Sequence, residues 1–328
     1  MTKTITVSAP GKLMLFGEHA VVYNHPCLVT AVDQRMRVTA EIIDTPEFHL
    51  EAPDVKVMGY KKIFSELGKG DIPKGAQFVE IAVKNLLQRH PAPNAGSTGL
   101  KITTTSEFSS QFGFGSSSAS TVCTIKAISE LLELNLSQKE IFDLAFKTVL
   151  DIQGKGSGFD VAAAVYGGTL YFVTGGTVIE PLQITDLPLI VGYSGVKADT
   201  VTLINAVKAT SDKYPEIIEG IYQNIETLVE RAKVAILASK WQTVGELLHI
   251  NQGYLDALGV STRKLADMIY AANDAGAYGT KLSGAGGGDC IIGLAPEEKR
   301  KTVEEAIQQA GGEIVSVKTN AEGVRLEK

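Results

Sequence analysis

The chain has three cysteines, Cys27, Cys123 and Cys290, and no two of them form a CxxC pair. That spacing excludes the usual cysteine-rich zinc sites and any close redox couple. Each lies in an apolar stretch, which predicts buried free thiols. No uninterrupted apolar run approaches the roughly 18 residues that a membrane-spanning helix needs. The first ten residues, MTKTITVSAP, lack the positive-then-apolar layout of a secretory signal, so the expected compartment is the cytoplasm. Neither sign of charge dominates. The net charge of -6 repels polyanions mildly, and with no basic patch evident neither nucleic acid nor an acidic membrane is an expected partner. The chain also lacks repeats and low-complexity tracts, a Walker loop (GxxxxGK followed by Ser or Thr) and the dinucleotide string GxGxxG. What these absences leave is a globular chain of enzyme size with a small-molecule partner.

With 328 residues, 44% hydrophobic and 21% charged, the sequence can fill one large or two medium cores. Strand and helix signals mix along its whole length, the pattern of an α+β or α/β protein. Ile5 to Ala9, Arg35 to Ile43 and Gly167 to Thr174 read as strands. From Ala119 the residues Val122, Ile125, Ile128 and Leu131 recur every third position, widened by Leu132, which predicts a helix whose N-terminus lies at Ser116 to Ser118. Ile217, Ile218, Ile221, Ile225, Leu228, Val229, Ala232 and Ile236 predict a long amphipathic helix, and Val244, Leu247, Leu248, Leu255 and Leu258 another. The turn TGGT at Thr174 to Thr177 ends the strand-dense half. The expected division is residues 1–180 and 181–328, and residues 91–99, PAPNAGSTG, read as a surface loop.

Four segments carry chemistry. FSSQFGFGSSSAST, Phe108 to Thr121, sets two glycines and a serine run before a helix, where backbone can approach a ligand and the first N–H groups lack partners. An anion such as a nucleotide phosphate fits there. SAPGKLMLFGEHAVVY, Ser8 to Tyr23, holds Lys12 in an apparent turn after the first strand, followed by Glu18 and His19. The lysine could neutralise phosphate and the pair could meet a polar substrate, or all three could be solvated. In QGKGSGFDVAAAVYGG, Gln153 to Gly168, Asp160 ends a glycine-rich turn and is either a helix N-cap or the group that takes or orients the proton of an attacking alcohol. KLSGAGGGDC, Lys281 to Cys290, is a turn whose uncharged backbone from Ser283 to Gly288 could line a pocket. Asn251 falls on an apolar helix stripe and reads as a buried capping or bridging amide.

In this order, PGK near the N-terminus, GFGSS in the middle and GAGGG late resemble the three motifs of the GHMP kinase family across residues 8–290. The resemblance implies an α+β, two-domain fold, with a ribosomal S5 domain 2-like N-terminal domain and a ferredoxin-like C-terminal one. It implies ATP-dependent phosphorylation of an alcohol, with magnesium. Carried onto this sequence, Gln111, Phe112, Gly113, Phe114, Gly115, Ser116 and Ser117 would hold the nucleotide and Ser117 the metal. Lys12 and Asp160 would be catalytic. Glu18, His19, Thr200 and Ala285 would meet the acceptor.

APGKLMLFGEHAVVYNHP and HINQGYLDALGVST look like the mevalonate kinases of that family, so mevalonate or a close relative is the implied acceptor. Other segments depart. Ser109 and Gln111 replace the proline and glycine of PxGxGLGSS, while Gly156, Val161 and Asp289 look more like phosphomevalonate kinases. A phosphorylated acceptor would need further cations, for which Lys155, Lys197 and Lys281 are candidates. The family's magnesium-binding glutamate falls by counting on Val149, with Asp151 the nearest carboxylate. A catalytically silent binding protein on the same scaffold is the reading from another class; it would need neither Lys12 nor Asp160. The resemblance is compatible with a homodimer.

Overall fold

The computed structural model describes residues 3–91, 98–185 and 187–327. The loop read at 91–99 therefore lies largely outside the described residues.

The first part of the chain runs β1 (Thr4–Phe16), β2 (Cys27–Ile43), β3 (Glu47–Ala52), β4 (Val57–Ile63), α1 (Gln77–Arg89), β5 (Gly99–Ser106), α2 (Ser116–Leu131), α3 (Gln138–Gln153), α4 (Phe159–Tyr166), β6 (Thr169–Val173) and β7 (Val178–Leu182). It continues through β8 (Leu189–Tyr193), α5 (Thr200–Lys213), α6 (Pro215–Leu237), α7 (Trp241–Ala257), α8 (Arg263–Asp274), β9 (Gly279–Ser283), β10 (Cys290–Leu294), α9 (Arg300–Gln309), β11 (Glu313–Ile314) and β12 (Arg325–Leu326).

Two sheets result. The first is ordered β12-β1-β2-β5-β3-β4, with β6 and β7 branching from β2. Its pairings are antiparallel except β3 with β5. The second is an antiparallel sheet ordered β11-β8-β10-β9. Mixed α and β content in two such layers is the expected α+β architecture. Helix α2 packs across β1 and β2, and α7 packs on β9. The stripe Val122, Ile125, Ile128 and Leu131 is fully buried in that first interface, which is why its period was legible. Ile217, read on the stripe of α6, is instead exposed in the first turn of that helix.

TGGT is a hairpin turn inside the first sheet, because β6 and β7 on either side of it pair with each other. Strands change sheet later, between Leu182 and Leu189. The chain then returns: Val7 and Ser8 of β1 pair with Leu326 and Arg325 of β12. Beneath that edge lies Arg35, buried, whose guanidinium donates to Ser8 Oγ at 2.6 Å, Glu322 O at 2.8 Å and Gly323 O at 2.8 Å. Burial lowers its pKa, and the carbonyls are what make a buried cation tolerable. All three cysteines are buried and free.

Candidate active site

Lys12 was expected in a turn, yet β1 runs on through it. Proline at position 10 lacks an N–H, and the register against β2 shifts between Pro10 and Gly11. The bulge absorbs the proline, and pairing resumes with Lys12 opposite Ala31. The Lys12 amide donates to Phe114 O at 3.0 Å and its ammonium to Gly113 O at 2.9 Å, so strand and glycine loop are tied together. The ammonium also lies 3.0 Å from Asp160 Oδ1 and 5.3 Å from the centre of the Phe159 ring.

Asp160 is not a helix cap. Gly158, at φ 94, occupies the N-cap of α4, and no side chain caps that end. Asp160 sits in the first turn with its carboxylate on Lys12 instead. Helix α2 likewise starts from a glycine, Gly115 at φ 77, without a side-chain cap. Its first N–H groups, at Ser116 and Ser117, therefore face the cavity with no side-chain acceptor, the arrangement that binds anions. Glycine is required here on two counts. A Cβ on Gly115 would stand 3.3 Å from both Asp160 Oδ1 and Lys12 Cε, and one on Gly113 would stand 2.3 Å from Asp289 Oδ2.

The cavity between the two sheets measures about 400 Å³. Lys12, Glu18, His19, Gly113, Gly115, Ser116, Ser117, Asp160, Thr200 and Ala285 from the sequence-read set all line it. Gln111, Phe112 and Phe114 do not. Phe114 is buried against Phe108 and Phe112, Phe112 leans on Tyr193, and Gln111 accepts from the Tyr193 hydroxyl at 3.3 Å. These residues shape the loop from behind.

Thr200 opens α5, whose N-cap Asp199 is already engaged with Thr202. His19 is buried, and desolvation lowers its pKa, so the ring is neutral at ordinary pH. Its Nε2 lies 2.9 Å from Ala285 O; a carbonyl only accepts, so Nε2 carries the proton and Nδ1 is the acceptor of the ring. Glu18 departs from expectation. Its side chain is 0% exposed, ion-paired with Lys281, itself 0% exposed, and its other oxygen accepts from Asn251 at 3.3 Å. Although Glu18 borders the cavity, each of its carboxylate oxygens is engaged within the protein, by Lys281 and by Asn251. Asn251 is the buried bridging amide that its position on the apolar stripe suggested.

Asp151 is placed away from the cavity. Its carboxylate is held by Lys147 and by Asn85 Nδ2 at 2.9 Å, whereas Val149 lines the pocket. Two residues along an α-helix turn through about 200°, so these two positions cannot share a face. Among the described residues no group of three or more His, Cys, Asp or Glu side chains is gathered as a metal cage. Beside the loop the cavity is lined by Ser116, Ser117 and Ser118 and by two carboxylates, Asp160 and Asp289, each already paired with a lysine. That sparse oxygen set suits a magnesium ion that arrives with phosphate oxygens as its main ligands.

Lys74 and Ser110 also line the cavity and carried no sequence signal. Asp289, remarked only as a motif departure, is a hub. Its Oδ1 accepts from Ala198 N at 3.0 Å and lies 3.1 Å from Lys197 Nζ.

Comparison with known proteins gives concordant results. The family model for the GHMP kinases N terminal domain matches residues 77–168, and that for GHMP kinases C terminal matches residues 232–313. The mevalonate kinase of Pyrococcus abyssi is 39% identical, over 100% of this chain and 99% of that protein. The Methanococcus jannaschii mevalonate kinase structure superposes with a TM-score of 0.81 at 26% identity, covering 98% of this chain and 99% of that one. L. major mevalonate kinase in complex with R-mevalonate gives a TM-score of 0.79 at 25% identity, covering 98% and 97%.

Proposed function

The chain belongs to the GHMP kinases, and from that premise we propose that it transfers the γ-phosphate of ATP to the 5-hydroxyl of (R)-mevalonate. The observation that carries this reading is the Lys12–Asp160 pair, 3.0 Å apart, set against the uncapped start of α2 within one cavity.

Phosphoryl transfer asks a protein mainly to align donor and acceptor and to balance moving charge. The N–H groups at the start of α2 receive phosphate oxygens, and Gly113 and Gly115 keep side chains out of their way. Lys12 brings positive charge to the transferring group from a fixed strand. Asp160 faces the acceptor alcohol, orients it and takes its proton as the new O–P bond forms and the β–γ bridge breaks. A bound magnesium ion, held by Ser117 and phosphate oxygens, would supply charge neutralisation along the polyphosphate. His19 accepts a substrate hydroxyl at Nδ1, Thr200 closes the facing side, and the Ala285 carbonyl fixes the histidine.

The same cavity argues for mevalonate over its phosphorylated relative. The three lysines that the sequence offered for a second phosphate are engaged: Lys281 is sealed against Glu18, Lys197 is paired with Asp289, and Lys155 donates to Asn205, while Lys74 is a further lysine on the cavity wall. Purified protein with ATP should release ADP when given mevalonate and not when given 5-phosphomevalonate, with the product position read by phosphorus NMR. Turnover with the phosphorylated acceptor alone would refute the assignment, and no turnover with either would favour a silent binder.

Gly113→Ala should raise KM for ATP about tenfold, because an alanine there must adopt φ 75 and meet Asp289. An unchanged ATP KM would remove Gly113 from the phosphate cradle.

The division proposed near residue 180 is supported by the change of sheet between Leu182 and Leu189, although β12 belongs with the first sheet. No helix among the described residues is long and apolar enough to cross a membrane, and we take the cytoplasm as the working compartment. Whether alone or as a homodimer, each chain carries its own Lys12 and Asp160 in one cavity.

A further inference from the structure

We propose that Lys281 is a positioning residue for the acceptor side of the cavity, holding His19 in its working pose through Glu18. The proposal rests on the phosphotransfer reading only for its kinetic test.

A lysine and a glutamate with no exposed side-chain surface are rare, because taking both charges out of water costs more than an apolar pair of the same size would. What an ion pair adds is direction: it fixes where the carboxylate points. Here the pair bridges the two sheets, since Glu18 follows β1 and Lys281 lies on β9. Asn251 on α7 takes the remaining Glu18 oxygen. Glu18 is thus held from two sides.

The next residue is where that matters. His19 sits at φ 60, ψ -48, a conformation that side-chain-bearing residues adopt only when their surroundings enforce it. Gly17 before it is at φ 101 and so close to Cys27 that a Cβ would lie 2.5 Å from the Cys27 Cβ, so the chain has no slack on that side. Beyond the backbone, His19 is anchored by its Nε2 contact with Ala285 O.

Lys281 and Ala285 belong to one short segment, and the hydroxyl of Ser283 between them accepts from the Met14 amide (3.0 Å) and donates to the Met14 carbonyl (2.9 Å). Residues 281, 283 and 285 therefore grip residues 18, 14 and 19 respectively. Ser283 and Ala285 hold main chain and ring; Lys281 supplies the charge that, with the Asn251 amide, holds the side chain preceding the strained histidine. Without it, the Glu18 carboxylate would seek another partner, the 17–19 turn would relax, and Nδ1 would leave its place on the cavity wall.

Lys281→Met alone leaves Glu18 buried and unpaired and is expected to fold poorly, so the test uses Lys281→Met with Glu18→Gln. The double variant, checked for a cooperative melt, should raise KM for mevalonate about tenfold, the loss of one well-placed hydrogen bond, with KM for ATP within about twofold. Adding His19→Ala to that background should change KM for mevalonate far less than His19→Ala does alone, because the two act in series. Nitrogen-15 histidine spectra provide a readout independent of substrate: the five histidines should include one locked Nε2–H tautomer that becomes a tautomer mixture in the double variant. A double variant that keeps wild-type KM and the locked tautomer, or strictly additive effects of His19→Ala, would overturn the proposal. If the unaltered protein does not phosphorylate mevalonate, the functional reading fails, and the tautomer result still decides the role of Lys281.

Discussion

Asp160→Asn should lower kcat by at least about 10²-fold, and by up to about 10⁴-fold if the carboxylate takes the proton in the transition state. The side chain is nearly unchanged in shape. Gly158, not Asp160, occupies the N-cap of α4, so the helix loses no cap by the change. What disappears is the negative charge 3.0 Å from Lys12 and the ability to accept a proton. Thermal melting should therefore move little, and ATP should still bind in a titration without acceptor. Steady-state rates with saturating mevalonate test the point. A variant turning over within a few-fold of the original would show that Asp160 only packs against Lys12.

Lys12→Met should also lower kcat by at least about 10²-fold, through loss of a charge that acts in the transition state. Methionine replaces the aliphatic stem well enough to stay folded. It leaves Gly113 O without its donor and Asp160 without its partner. ATP affinity should weaken as well as kcat, which separates this variant from Asp160→Asn. The double variant should be little worse than the poorer single one, since groups that act as a unit are not additive. Full additivity would mean the two residues serve separate steps.

Much of this was legible in the sequence, for identifiable reasons. The start of α2 was readable because a serine cluster meets a three-residue apolar period there, and both signals are local. Lys12 was misplaced in a turn because proline and glycine ordinarily break strands, and only the register of β2 reveals that a bulge carries β1 through them. The cap reading of Asp160 failed because Gly158 fills that place at a φ that glycine adopts without strain. Glu18 was read as a substrate contact from its neighbourhood with His19. Its partner Lys281 is 263 residues away, and no periodicity marks a bond that joins two sheets. Asp289 and Lys197 were hidden for the same reason, being 92 residues apart.

The return of the chain to β1 has a temporal consequence. During synthesis residues 4–43 are made well before residues 322–326, which supply the strand that pairs on the edge of β1 and the carbonyls that receive the Arg35 guanidinium. Until those are made, Arg35 faces a half-built site, and β1 and β2 wait for β12. Contacts of such sequence separation close slowly, because the intervening chain must be ordered or looped before they form. The four-stranded sheet, whose strands lie between residues 189 and 314, can assemble while the first sheet is still open on one side. The edge of β1, the strand that carries Lys12, is therefore expected to stay unpaired and open to mispairing until β12 is made.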